Sequence, residues 1–200
     1  MSSMTRYSQY TVKWVSLPWE RAQAYALRQR VFCQEQGLFS GHDQDEIDPE
    51  AQLLVVVGGY SGWHEQVVGT VRIHEQASGI WHGSRLAVDA DFRHQGHLGS
   101  ALIRLAVSSA HALGCREFYA HVQPQNELLF QRMHWQSRGA VQLCGRPHVW
   151  MQADLAHYPP CSDPYSGQVL CGRAAPALDE LAPALLVAAS ALGSLSGVSL

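Results

Sequence analysis

Residues suited to binding an anion cluster just ahead of the longest amphipathic run in the chain. Arg93, His94, Gln95, Gly96, His97, Leu98, Gly99 and Ser100 bring together one cation, two imidazoles and two glycines, and the run ALIRLAVSSAHALG follows directly. The first amides of a helix have no intrahelical partner and sit at the positive end of its dipole, and glycines let a phosphate approach the main chain. Such a turn can cradle a diphosphate, while the same glycines also serve plain turn geometry. A separate group could move protons: His74 and His121, because imidazole titrates near neutrality, and the carboxylates Glu75 and Glu35. Cys33 and Cys115 are the candidate thiol nucleophiles, and neither has a base partner recognisable in the sequence.

Regular elements must position these groups. Leu86 to Val88 is a short apolar strand leading into the turn. Leu98, Leu102, Leu105, Ser109 and Ala112 then recur at spacings of three and four, which predicts a helix packed on a sheet and closed by a left-handed cap at Gly114. Upstream, Tyr10, Val12 and Trp14 alternate as a first strand, and Pro18 opens a helix that keeps Ala22, Gln29 and Phe32 or Cys33 on one face. Residues 51–58, 67–74 and 80–88 read as three strands joined by glycine-containing turns. Between the helix and these strands, Asp43, Asp45, Glu46 and Asp48 read as a solvated acidic loop ending at Pro49.

After the long helix, Phe118, Ala120 and Val122 alternate with Tyr119 and His121 in a strand over 116–122. Pro124 and Asn126 start a short helix, and 141–144 and 148–153 supply two last strands. Antiparallel strands followed by a strand–helix–strand crossover predict a mixed α/β fold, a mixed sheet with helices on its faces.

A chain of 200 residues that is 46% hydrophobic and 16% charged has enough apolar content for one ordinary globular domain. Its net charge of −3 gives no basic field for nucleic acid. The five cysteines, at 33, 115, 144, 161 and 171, are scattered, which points to a reducing cytoplasm. None of the eleven histidines has a compact ligand spacing with another His or Cys, so no metal is expected. Residues 159–175 are rich in Pro, Gly, Ser and Cys, and 181–200 carry no charge. The domain is therefore placed at 1–158 and a C-terminal tail at 159–200, mobile or docked as a helix; Pro183, glycines and serines dilute the apolar run, and no membrane role is expected.

Arg93, His94, Gln95 and Gly96 also resemble the first four positions of the coenzyme A segment of the GNAT acyltransferase superfamily, and Gly99, Ser100, Ala101 and Leu102 resemble the helix entrance that follows. His97 and Leu98 stand where that family usually has a single residue. The resemblance spans roughly residues 8–156 and implies a central mixed sheet of six to seven strands, helices on both faces and a splayed parallel strand pair. It implies that the main chain of Leu86, Ala87 and Val88 holds the pantetheine arm and that residues 93–100 hold the diphosphate. Gln123 falls where the family has an Asn that orients the arm, and Asn126 reads as a helix cap near it. In LFQRMHW, Phe130 stands where many members have a proton-donating Tyr, so it reads as packing beside the cofactor.

A further resemblance lies in Arg30, Val31, Phe32, Glu35, Gln36, Glu46 and Asp48, a pattern similar to one bacterial branch of the superfamily and to acyl-homoserine lactone synthases, and the whole chain resembles acetyltransferases of nitrilase-type gene clusters. In that branch the segment borders the acceptor pocket, and Arg30 could pair with a carboxylate of the loop. These resemblances imply a cytoplasmic N-acyltransferase that moves acetyl from acetyl-CoA to a small-molecule amine by direct attack. Its base would come from His74, Glu75, Glu35 or His121. The alternatives are a longer-chain acyltransferase and a non-catalytic acyl-CoA sensor. The oligomeric state stays open between monomer and homodimer.

Overall fold

A computed structural model describes residues 7–95 and 97–172. Gly96, one of the residues in the cradle motif, and the uncharged stretch 181–200 lie outside the described residues.

Among the described residues, eight strands form one sheet. They are β1 (Gln9–Trp14), β2 (Gln52–Tyr60), β3 (Trp63–Ala77), β4 (Ile80–Val88), β5 (Glu117–Val122), β6 (Trp135–Leu143), β7 (Arg146–Ala153) and β8 (Gln168–Cys171), in the order β6-β7-β5-β4-β3-β2-β1-β8. Every described pairing is antiparallel except β4 with β5, which the crossover helix α2 (His97–Ala112) connects. Among the described residues the other α-helices are α1 (Pro18–Arg28) and the short α3 (Glu127–Arg132).

Two apolar layers sandwich the sheet. Leu98, Leu102, Leu105 and Val107 of α2 pack on Leu54, Val56, Val68 and Phe118, while Ala24 and Leu27 of α1 pack on Leu53, Val55 and Val57. This explains why β2 reads as an unbroken LLVVV run: its alternate side chains enter opposite cores. The buried face of α2 matches its periodicity as far as Ser109, but Ala112 is exposed in the last turn. Gly114 has φ +90, with the Cys115 amide donating back to the Ala110 carbonyl, as the cap requires.

Several expectations change. The sheet has eight strands rather than six or seven, because the chain beyond 158 returns along the free edge of β1 as β8. That return covers an otherwise open edge, and it needs Gly167, whose φ is +66 and where a Cβ would lie 2.1 Å from the Val12 carbonyl oxygen. The strand-bearing fold thus extends past the proposed boundary at 158, to Cys171.

The expected face of the first helix is not the buried one: Ala22 and Gln29 are exposed, and α1 turns Glu20, Ala24, Leu27 and Arg28 inward. After Arg28 it widens into a π-helical segment, Gln29–Glu35, with the Gln36 amide reaching back five residues to the Val31 carbonyl. The extra residue per turn rotates Val31 and Phe32 together into the α1-side core.

The acidic loop is not solvated throughout. Asp43 and Asp48 are 2% and 5% exposed, and the guanidinium of Arg28, fully buried, donates to both. Arg72 pairs with Asp45 and Asp48. A carboxylate of this kind can be buried only because charge-assisted hydrogen bonds replace its water. Arg30, expected to pair with the loop, reaches Asp89 instead at 2.8 Å.

Candidate active site

The parallel pair parts. β4 and β5 are laddered only over Ile80–Gly83 against Glu117–Ala120. Past Gly83, β4 stays with β3 and leaves β5. The departure coincides with a bulge: Thr70 pairs with Ala87 and Arg72 with Ser84, so Arg85 and Leu86 oppose the single residue Val71. Along Leu86–Val88 the β5-facing edge has no ladder partner, which leaves backbone groups available to an extended chain, apart from the Val88 carbonyl that accepts from Arg93.

A cavity of about 620 Å³ opens at this gap. Ile103, Val107, Phe118 and Trp135 wall it on the α2 side, and Val31, Phe32, Leu38 and Phe39 on the α1 side. Because these walls belong to opposite cores, the cavity crosses the sheet where the ladder is missing. An acyl-CoA arm needs apolar walls for its methylenes and backbone partners for its amides, and the residues around the gap fit both needs.

Most of the residues picked out for cofactor binding converge here. Leu86, Ala87, Val88, Arg93, Gln95, Gly99, Gln123, Asn126 and Phe130 line the cavity. Asn126 precedes α3 but makes no side-chain cap, so the capping expectation is not met. Phe130 is buried edge-on to Trp135, with ring centroids 5.0 Å apart, and so packs and lines at once.

The cradle residues divide. Arg93 lies at the mouth, donating to the Val88 carbonyl at 2.9 Å and pairing with Glu35. Gln95 is anchored on the Tyr10 hydroxyl at 2.7 Å. Leu98 does not offer itself to a ligand: its side chain is fully buried and its amide donates to the Gln95 carbonyl. Its apolar side chain belongs to the helix stripe, and this outweighs its place in the motif. His94, His97 and Ser100 are outside the cavity lining.

Of the four proton-transfer candidates, the structure brings only His121 to the cavity. The Glu75 carboxylate accepts from the Gly79 amide at 2.7 Å and so closes the β3–β4 turn. Glu35 is taken by Arg93. His74 stands one strand further from the cavity, its ring stacked 5.9 Å from His82, which in turn stacks 6.1 Å from His121. These imidazoles form a row across one sheet face. Burial and the two flanking histidines push His82 down to about 4, and burial with the neighbouring His148 also lowers His121. His121 is therefore a neutral imidazole at pH 7 with a free lone pair.

Residue-by-residue reading missed the buried arginine–aspartate network and the hydrophobic back wall. One signal for the network was available: Arg72 sits between Val71 and Ile73 in a strand too apolar for a solvated cation, so it required buried carboxylates. Ile103 and Val107 gave none, since a helix residue that faces a cavity has the same periodicity as one that faces a core.

A mixed sheet whose one parallel pair opens over such a cavity defines a GNAT-type acyltransferase fold. The model of the acetyltransferase (GNAT) family matches residues 13–134, and the chain belongs to that family, an acyltransferase. Among solved structures, a candidate N-acetyltransferase from Lactobacillus plantarum aligns at TM-score 0.64 and 24% identity, covering 72% of this chain and 97% of its own. The acyl-homoserine lactone synthase BjaI, solved with SAM and isopentyl-CoA, aligns at TM-score 0.62 and 16% identity, over 80% and 94%. FeeM, an N-acyl amino acid synthase from uncultured soil microbes, aligns at 0.57 and 14%, over 74% and 92%. No curated protein sequence matches. Among the described residues, no helix is long and apolar enough to cross a membrane.

Proposed function

We propose that the protein transfers an acyl group from acyl-CoA to the amine nitrogen of a small molecule by direct attack, with His121 as the base. The observation that carries this reading is the apolar cavity through the parted strands with the His121 imidazole, its pKa lowered by burial and by the neighbouring His148, in its lining. The donor supplies an acyl group already activated as a thioester. Main-chain groups of Leu86–Val88 hold its arm, and an N–H aimed at the thioester carbonyl contributes about 3 kcal/mol to lowering the barrier. Arg93 and the first turn of α2 take the diphosphate, with Arg93 exchanging the Glu35 carboxylate for phosphate. His121 removes the proton from the attacking amine. Phe130 has no proton to give, so the thiol leaves as thiolate or is protonated from solvent.

His121→Gln is expected to lower kcat about 100-fold while leaving KM for acyl-CoA unchanged. In the native enzyme log(kcat/KM) should rise with pH and level off after an inflection below 6.5, the ordinary imidazole value. The variant should lose that limb. Wild-type turnover with an unaltered pH profile in the variant would remove His121 from the mechanism.

Acetyl-CoA is the donor that family membership suggests. A second reading, a longer acyl chain, is favoured by the wall of Ile103, Val107, Phe118 and Trp135, which an acetyl group would leave largely uncovered. Coenzyme A release from acetyl and octanoyl thioesters, measured over a panel of amines, separates the two. A kcat/KM at least tenfold higher for octanoyl supports the long-chain reading, and the reverse order supports acetyl.

A further inference from the structure

We propose that the acidic loop 43–48 acts through Arg85 to keep β4 and β5 apart, which makes Arg85 a positioning residue for the donor site. Four described non-glycine residues have positive φ: Ser61, Arg85, His134 and Cys144. Three lie outside strands, at the turns after β2 and β6 and the end of α3. Arg85 alone lies within a strand, at φ +56, two residues beyond Gly83, the last residue of β4 laddered to β5. A side chain with a Cβ disfavours that conformation, so something must hold it.

The brace is the guanidinium. Its Nε lies 3.0 Å from Asp43 Oδ2, its Nη2 donates to the Asp43 carbonyl at 3.0 Å and to Asp45 Oδ2 at 3.1 Å, and it sits over the Phe39 ring at 4.6 Å. The loop that grips it is itself fixed. Arg28 Nε holds Asp43 at 2.7 Å, Arg28 Nη1 holds Asp48 at 2.6 Å, and Arg72 holds Asp45 from β3. Arg85 is thus clamped to a rigid body, and the backbone conformation so imposed is the one that puts two residues of β4 opposite one of β3. The bulge turns β4 away from β5 where the ladder stops. Arg85 also borders the cavity; on this account its effect on the donor comes through its φ angle rather than through contact.

The inference rests on the acyl-CoA reading, and the experiment separates the two. Coenzyme A is titrated calorimetrically against the full chain and its Arg85→Ala, Arg85→Gly, Asp45→Ala and Asp45→Ala/Arg85→Gly variants, with hydrogen exchange followed over 84–88 in the ligand-free proteins. Alanine at 85 needs the brace and has lost it, so Kd should rise about tenfold and exchange over 84–88 should change. Glycine adopts the same φ without help, so Arg85→Gly should stay within about twofold of wild type in both readouts. Asp45→Ala should behave like Arg85→Ala, and the double variant should recover. If alanine and glycine at 85 both lose binding, the guanidinium contacts the ligand and the proposal falls. If neither loses it, the bulge needs no brace and the proposal also falls. Absence of coenzyme A binding by the wild-type chain would overturn the acyl-CoA reading, and the exchange comparison between alanine and glycine would then decide the brace alone.

Discussion

Gly99→Glu is expected to weaken coenzyme A binding at least a hundredfold while leaving the melting temperature unchanged or slightly raised. The two halves of this expectation have separate causes. A Cβ at Gly99 would meet nothing closer than Val88 Cγ2 at 3.9 Å, an ordinary contact, so the fold accommodates the substitution. Glutamate is the better helix former by roughly 0.5–1 kcal/mol, and a carboxylate in the first turn complements the helix dipole. The same carboxylate would occupy the cavity lining where the diphosphate is proposed to sit. Two like charges 4 Å apart repel by about 4 kcal/mol at an effective dielectric of 20, more than the roughly 2.7 kcal/mol that a hundredfold loss requires. Calorimetric titration and a thermal melt of the same sample check both halves. A folded variant that binds coenzyme A as the wild type does would mean that the diphosphate lies elsewhere.

The largest effect on stability should come from Arg28→Ala. Arg28 is fully buried and is a principal counter-ion of Asp43 and Asp48. Removing it leaves two buried carboxylates short of partners, which typically costs about 3–5 kcal/mol, a large part of the stability of a domain. Arg72 and Arg85 still reach Asp48 and Asp43, which favours the lower end of that range. Urea unfolding at neutral pH measures the loss, and a variant within 1 kcal/mol of wild type would contradict the account.

The pH dependence has a definite sign. Burial pushes the Asp48 carboxyl up, but hydrogen bonds from Arg28 and the Asp45 amide, with the charges of Arg28 and Arg72, outweigh it and bring the pKa down from 3.8 to about 2. A carboxyl whose folded pKa is depressed stabilises the fold above its unfolded pKa, and that stability is lost as pH falls through the folded value. The wild type should therefore lose this contribution between about pH 4 and pH 2. The gap between wild type and Arg28→Ala should narrow over the same interval, because the variant has less of it to lose.

Much of the site was legible because its cause is local. Alternation over 116–122 places Phe118 inward and His121 outward whatever the strands pair with, and the basic, glycine-spaced turn leads into a helix through nearest-neighbour preferences alone. The limits have equally particular reasons. Leu98 and Gly99 are adjacent in the same motif, yet one is core and the other lines the cavity, a division set by which side of α2 meets the sheet. His74, Glu75 and His121 looked alike as proton acceptors until the strand order put β5 at the gap and left β3 behind β4.

By itself, the sequence determined the mixed α/β architecture and the crossover helix with its cap at Gly114, since periodicity acts over a few residues, and its motifs resembled those of the GNAT family to which the chain belongs. Only the tertiary structure decided that β8 completes the sheet and that Asp43 and Asp48 are buried against Arg28, Arg72 and Arg85. Those features depend on groups far apart in the chain meeting where water is excluded, and the energy of a buried charge or an unladdered strand is set by what surrounds it.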